Sequence, residues 1–142
     1  MEDPTISSPE AGSKSRLLVP LPEYSSIREV MMDHGLAALG DAYVNLLYSL
    51  YLSRRGGRPL GSKVSSSVLA GALRKAGLRK LLPSRTDRHK QADAAEALTV
   101  YAWILGLMST EEAVSTLEGE ETLEEAFASL LKVIRERLQK VL

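Results

Sequence analysis

Three acidic residues stand inside predicted helices, among small or apolar neighbours. Asp41 lies in the run LGDAY (residues 39–43), and Asp93 and Glu96 lie in the run ADAAEAL (residues 92–98). Aspartate is a poor residue for a helix interior, and side chains three residues apart share one helix face. The small neighbours would let the two helices approach closely. If the helices cross there, the three carboxylates converge.

Converging carboxylates repel one another and are costly to bury unless a hard cation neutralises them. A ligand set of oxygen atoms suits Mg²⁺ or Mn²⁺, and such an ion can activate water and stabilise charge on a phosphodiester. The pattern therefore predicts a metal site for phosphodiester chemistry at Asp41, Asp93 and Glu96. The alternative is that these carboxylates pair with nearby Arg and Lys side chains as structural bridges.

The charges of the chain are strongly segregated, although they sum to zero. Residues 54–90 hold eleven Lys or Arg and one acidic residue, whereas residues 111–125 hold seven acidic residues and no Lys or Arg. Such a basic stretch attracts polyanions and predicts a nucleic-acid-binding surface. The candidate residues on it are Arg54, Arg55, Lys63, Arg74, Lys75, Arg85, Arg88, His89 and Lys90. The alternative is a solvated surface that the acidic segment balances.

Three polar positions near the acidic residues are open to two interpretations each. His89, four residues before Asp93, could ligate a metal or touch phosphate, or it could be a cap or surface residue at a helix start. Asn45, one turn after Asp41, could orient a metal-bound water or bond a neighbouring group. Residues 65–67, all serine, could donate to phosphates or cap a helix.

Apolar residues recur at spacings of three and four after residue 22, and no segment alternates like a strand. The pattern predicts an all-α domain of five to six helices over residues 23–142, preceded by a flexible tail over residues 1–22 that is rich in Ser, Pro and Glu. The predicted helices cover residues 26–35, 36–53, 63–76, 89–105, 109–119 and 122–142, with a single turn at 79–82 and a basic loop at 54–61.

Two of these helices have patterns that place them in the fold. The second has one predicted buried face, formed by Leu36, Leu39, Tyr43, Leu46, Leu47 and Leu50. The fourth is apolar nearly all round over residues 94–107, which predicts the central helix of the domain.

The composition excludes several classes of protein. The chain has no cysteine, so disulfides, thiolate metal sites and cysteine nucleophiles are excluded. No apolar run approaches the roughly 18 residues that a membrane span needs, and no leader-like segment opens the chain. We therefore expect a cytoplasmic protein without membrane contact. One Asn and two Gln beside abundant Glu, Lys and Arg are typical of a thermophilic source.

The runs that carry the acidic residues resemble those of a known family. LGDA (residues 39–42), followed by an apolar stretch to residue 52, resembles the signature helix of ribonuclease III catalytic domains. VSSSVLA (residues 64–70) resembles the helix that follows it, and ADAAEAL (residues 92–98) resembles the second acidic motif. Their order and approximate spacing agree, and the resemblance covers roughly residues 25–140. Because no double-stranded-RNA-binding domain follows, the chain resembles a divergent, archaeal or thermophilic member of the minimal, Mini-III type.

The resemblance implies a ribonuclease III-like helical fold, a homodimer, and an Mg²⁺-dependent endonuclease that cuts double-stranded RNA to 5′-phosphate and 3′-hydroxyl ends. Asp41 and Glu96 carry over as catalytic residues and metal ligands, and Asp93 carries over as a third ligand. The family's first glutamate, four residues before the signature aspartate, falls on Ala37 and is missing here. The aromatic residue that full-length members insert into the partner subunit falls on Ala38, which alters the expected dimer contact.

Two other functions compete with the nuclease. With Ala37 in place of glutamate, the domain could be a ribonuclease III-like module that binds RNA without cleaving it. It could also be a helical interaction protein whose basic and acidic segments pair between subunits. Asp93 and Glu96 favour the nuclease over the RNA-binding module, and the basic stretch argues against the interaction protein.

Overall fold

A computed structural model describes residues 18–142, and most of the predicted tail lies outside the described residues. The described residues form six α-helices, one 3₁₀ helix and no β-strand, which confirms the all-α prediction. The helices are α1 (Ile27–Met31), α2 (His34–Gly56), α3 (Ser66–Lys75), α4 (Arg88–Ile104), α5 (Thr110–Glu118) and α6 (Leu123–Gln139), and the 3₁₀ helix is Arg79–Leu81. Val19 and Leu21 are half-buried against the core. None of the helices in this part of the chain is long and apolar enough to span a membrane.

Helix α4 is the central helix, as its apolar pattern predicts. Every residue from Ala94 to Ala102 is buried, because α1, α2, α3 and α6 all pack against it. Glu96 is therefore a carboxylic acid on a helix that is enclosed by its neighbours.

Helix α2 is longer than predicted at both ends. The Asp33 side chain accepts a hydrogen bond from the backbone N–H of Leu36 (2.9 Å), so the helix begins at His34 rather than after Gly35. At the other end, Gly56 remains helical and Gly57 adopts a left-handed conformation (φ +70°). The basic loop therefore starts three residues later than predicted, at residue 57 instead of 54, because only the second glycine of the pair ends the helix.

The predicted buried face of α2 is wrong on one side. Leu36, Tyr43 and Leu47 are buried, but Leu39 is 37 % exposed and Leu46 is 49 % exposed. At 100° per residue these two leucines lie about 60–80° around the helix from Leu36. Helix α2 packs mainly on α4, and the buried side of α2 is the one that carries Leu36, Tyr43 and Leu47. Leu39 and Leu46 therefore form an apolar stripe that faces away from the core.

Candidate active site

Helices α2 and α4 cross at Gly40 and Glu96, and the crossing is very close. A Cβ atom built on Gly40 would lie 2.1 Å from the backbone oxygen of Glu96, so only glycine fits there. This confirms the prediction that the small residues beside the acids let the two helices approach. It also places Asp41, the residue after Gly40, directly beside Glu96.

Asp41 and Glu96 form a hydrogen-bonded pair of carboxyl groups. Asp41 is exposed, whereas Glu96 is only 8 % exposed. The pKa of Glu96 is raised to about 8, first by burial and then by the Asp41 carboxylate, which accepts a hydrogen bond and adds its negative charge. In the metal-free protein, the Glu96 carboxyl therefore keeps its proton at neutral pH and donates it towards Asp41.

Asp93 adds to this negative field without joining the pair. It is half-buried, three residues before Glu96 on α4, and its charge also raises the pKa of Glu96. Within residues 18–142, no three His, Cys, Asp or Glu side chains are arranged as a ready-made metal cluster. The structure therefore brings Asp41 and Glu96 into contact and keeps Asp93 within electrostatic range.

The chemistry of these groups fits a hard divalent cation. All three side chains can offer carboxylate oxygens, which are the ligands that such a cation prefers. A cation beside Glu96 would favour its ionised form, because it would neutralise the charge that burial opposes. None of the three forms an ion pair with a Lys or Arg among residues 18–142. The structural-bridge alternative therefore lacks its pairs in this part of the chain. Lys63 lies close enough for its charge to oppose the rise in the pKa of Glu96.

Ala37, where the resemblance implies a glutamate, lies at a cavity that Asp93 also lines. The volume of this cavity is about 220 Å³. The same cavity is lined by His34, Arg85 and Lys90. Basic groups therefore lie beside the acidic site, which consists of Asp41, Asp93 and Glu96. Asp33 also borders the cavity, but its side chain caps α2 and accepts a hydrogen bond from Tyr24 Oη (2.5 Å). The bond from Tyr24 is the main cause that lowers the pKa of Asp33.

The other residues predicted to bind nucleic acid differ in their contacts. Arg54 pairs with Glu118 (2.8 Å) and Lys75 pairs with Glu124 (3.1 Å), so acidic residues balance part of the basic stretch within one chain. Arg74 donates to Gln91 Oε1 (3.2 Å). The Arg55 guanidinium lies over the Tyr51 ring, 5.3 Å from its centre. Arg88 and His89 are exposed in the first turn of α4.

Two of the polar positions with open interpretations have structural partners. Ser65 caps α3 by accepting a hydrogen bond from the backbone N–H of Val68 (3.2 Å). Asn45 Nδ2 donates to Asp41 Oδ1 (3.3 Å), and Asn45 Oδ1 accepts from the backbone N–H of Val64 (2.8 Å). The sequence did not predict the second of these bonds, because it joins residues 19 positions apart.

The family comparison agrees with the resemblance that the acidic runs carry. The chain belongs to the ribonuclease III family: the family model described as ribonuclease III matches residues 34–140. This match covers the helix crossing, the three acidic residues and the whole basic stretch. Membership in this family indicates an RNA endonuclease, a hydrolase of phosphodiester bonds. No curated protein matches the chain.

The raised pKa of Glu96 predicts how the stability of the metal-free protein depends on pH. The ordinary pKa of glutamic acid is 4.5, so between about pH 4.5 and 8 the folded protein holds a proton that the unfolded chain has lost. The free energy of unfolding should therefore fall as the pH rises through this range, by about 1.4 kcal/mol for each unit of pKa difference.

Thermal unfolding in the presence of a chelator measures this dependence. The melting temperature of the wild type should decrease between pH 5 and pH 8. Glu96→Gln, which keeps a donor for Asp41 and cannot ionise, should lack this decrease and melt above the wild type at pH 8. An equal decrease in both proteins would show that another group causes it.

Proposed function

We propose that the protein is a cytoplasmic, Mg²⁺- or Mn²⁺-dependent endoribonuclease that hydrolyses double-stranded or structured RNA, leaving 5′-phosphate and 3′-hydroxyl ends. The observation that carries the proposal is the pair of carboxyl groups at the crossing of α2 and α4. Asp41 and Glu96 are hydrogen-bonded there, Asp93 adds its charge, and basic groups line the adjoining cavity. Acidic groups for a cation and basic groups for phosphates are what phosphodiester hydrolysis requires.

Each part of the site has a distinct task in this proposal. Asp41, Asp93 and Glu96 would hold the cation, which supplies an activated water and charge neutralisation at the phosphodiester. Gly40 keeps the two helices in near contact, so that Asp41 and Glu96 stay together. Recognition of the duplex depends on its shape and its phosphates, because side chains do not read the bases of an RNA helix easily.

The RNA surface should centre on the basic residues beside the acidic site. Arg85 and Lys90 line a cavity with Asp93 and are exposed, whereas Arg54 is held by Glu118. We expect the double variant Arg85→Ala, Lys90→Ala to raise the Kd for duplex RNA about tenfold at moderate salt. The slope of log Kd against log salt concentration should become shallower by about two, which is about one for each lost phosphate contact.

Binding titrations at several salt concentrations test this surface, with Arg54→Ala as the matched control. The control removes one positive charge that already has an acidic partner, so its Kd should stay within about twofold of the wild type. If the control weakened binding as much as the double variant, the surface would not be centred on the acidic site.

We further propose that the protein forms a homodimer through the exposed stripe of α2. Leu39 and Leu46 are seven residues apart on one face, and Ala42 between them is also exposed. A symmetric pair of chains would bury this stripe against itself. Ala38, where the resemblance implies the aromatic residue of full-length members, adds little bulk beside this stripe.

Leu46→Glu should convert the dimer to a monomer, because it would place two carboxylates inside the interface. Sedimentation equilibrium measures the mass directly. Val141→Glu is the control, since Val141 is 55 % exposed and follows α6, outside helix α2. A wild type with the mass of one chain, or two variants that behave alike, would contradict the proposed interface.

The principal experiment incubates the purified protein with long duplex RNA and Mg²⁺. The nuclease proposal predicts short products with 5′-phosphate and 3′-hydroxyl ends, and no products in the presence of a chelator. Ala37, where the family has a glutamate, favours one competing function, an RNA-binding module without catalysis. That module would retain RNA with a steep salt dependence and release no product in Mg²⁺ or Mn²⁺.

A further inference from the structure

A row of polar side chains on α2 holds the segment between α2 and α3. Residues 59–65, here called the strap, are neither helix nor strand. Three side chains spaced four residues apart on α2 accept hydrogen bonds from backbone N–H groups of the strap. The bonds run from Leu60 to Ser53 Oγ (2.8 Å), from Ser62 to Ser49 Oγ (2.9 Å) and from Val64 to Asn45 Oδ1 (2.8 Å).

The spacing of this row matches an extended strap that runs antiparallel to the helix. Four residues of an α-helix advance about 6.0 Å, and two residues of an extended chain advance about 6.6 Å. Every second residue of the strap is therefore bonded to α2. Lys63 lies between two bonded residues, and it is exposed.

The row ends at the acidic site. Asn45 is its last member, and the Asn45 amide also donates to Asp41 Oδ1 (3.3 Å). An amide has separate donor and acceptor atoms, so it can serve both partners at once. Lys63 precedes the bonded Val64, and its positive charge opposes the rise in the pKa of Glu96. Asn45 thus connects Asp41 to the strap, the chain segment that carries Lys63.

We propose that Asn45 is a positioning residue of the active site, which orients Asp41 and holds the strap in the register that brings Lys63 to the acidic pair. This inference rests on the proposed nuclease function. In the absence of Asn45, Asp41 loses the hydrogen bond that restrains its rotamer, and the strap loses its attachment at the end where Lys63 lies. Substrate affinity depends mainly on the wider basic surface and changes little.

Three variants separate the roles of Asn45. Asn45→Ala removes both bonds. Asn45→Asp keeps an acceptor for the N–H of Val64 but loses the donor and sets a second charge beside Asp41. Ser53→Ala is the matched control, because it removes the bond of the row that is farthest from Asp41.

Cleavage kinetics, Mn²⁺ affinity without RNA, and hydrogen exchange of the Val64 amide are the readouts. We expect Asn45→Ala to lower kcat about tenfold or more with KM within about twofold, to weaken Mn²⁺ binding about 10- to 100-fold, and to speed Val64 exchange. Asn45→Asp should keep Val64 exchange slow and still lower kcat. Ser53→Ala should lower the melting temperature and leave kcat and Mn²⁺ affinity within about twofold.

A purely structural role of Asn45 predicts a different result. In that case Asn45→Ala and Ser53→Ala would lose stability alike and keep the same kcat and Mn²⁺ affinity, which would overturn the proposal. If the wild type cleaves no RNA, the proposed nuclease function is refuted. Mn²⁺ affinity and hydrogen exchange of the Val64 amide still test the positioning role of Asn45 in that case. Unchanged values for Asn45→Ala in both would then refute the positioning role.

Discussion

Cleavage of duplex RNA is expected to fall by about a thousandfold or more in Asp41→Asn and in Glu96→Gln. Each substitution keeps the size of the side chain and replaces a carboxylate with a neutral amide, so the site loses a ligand charge while the helix crossing stays intact. Rates under single-turnover conditions with Mg²⁺ measure the effect. RNA affinity without metal should stay the same in Glu96→Gln, whose parent carboxyl is already neutral, and should stay the same or increase in Asp41→Asn, which removes a negative charge beside a basic surface.

Two controls make this result specific to the site. Glu136→Gln makes the same chemical change at an exposed position of α6 and should cleave like the wild type. Circular dichroism should show that both active-site variants keep the helical fold. Wild-type cleavage rates in Asp41→Asn and Glu96→Gln would refute the assignment of these residues.

The second large effect concerns Gly40. A methyl group at this position would meet the backbone oxygen of Glu96 at 2.1 Å, and a backbone atom in the central helix cannot move aside cheaply. Gly40→Ala should therefore force α2 and α4 apart, with a loss of stability of about 2 kcal/mol or more after the gain in helix propensity. Because the same movement separates Asp41 from Glu96, cleavage should be lost as well.

Gly71→Ala is the matched control for this prediction. Gly71 is also a buried helical glycine, but the atoms nearest to its added methyl group would be the carboxyl end of Glu124, at 2.3 Å, and not backbone atoms. That flexible side chain can turn away and give up its ion pair with Lys75, so the change in stability should stay within about 1 kcal/mol. Thermal or urea unfolding compares the two variants. Equal stability of Gly40→Ala and the wild type would contradict the close crossing.

Much of the fold could be predicted from local chemistry. Three predicted helices, over residues 26–35, 109–119 and 122–142, have their N-caps at the predicted first residue, namely Ser26, Ser109 and Thr122. Such starts are predictable because capping depends on residues within one turn. The central place of α4 followed from the lack of a polar face. The ends of α2 were less predictable, since a pair of glycines does not reveal which of the two adopts the left-handed conformation.

The parts that the sequence could not predict depend on neighbours. Periodicity shows that Leu39 and Leu46 belong to an apolar face, but it does not say where the covering helix stops. The small residues around Asp41 and Glu96 predicted the crossing, and the structure confirms it. The attachment of the strap to Asn45 joins distant residues, and no spacing rule within a helix indicates it.

Anomalous diffraction from a crystal soaked in Mn²⁺ would reveal whether Asp41, Asp93 and Glu96 together bind a divalent cation. We expect a manganese peak at the crossing of α2 and α4, with oxygens of all three side chains as ligands. No manganese peak at the crossing, or a peak without a ligand from Asp93, would contradict the three-carboxylate site.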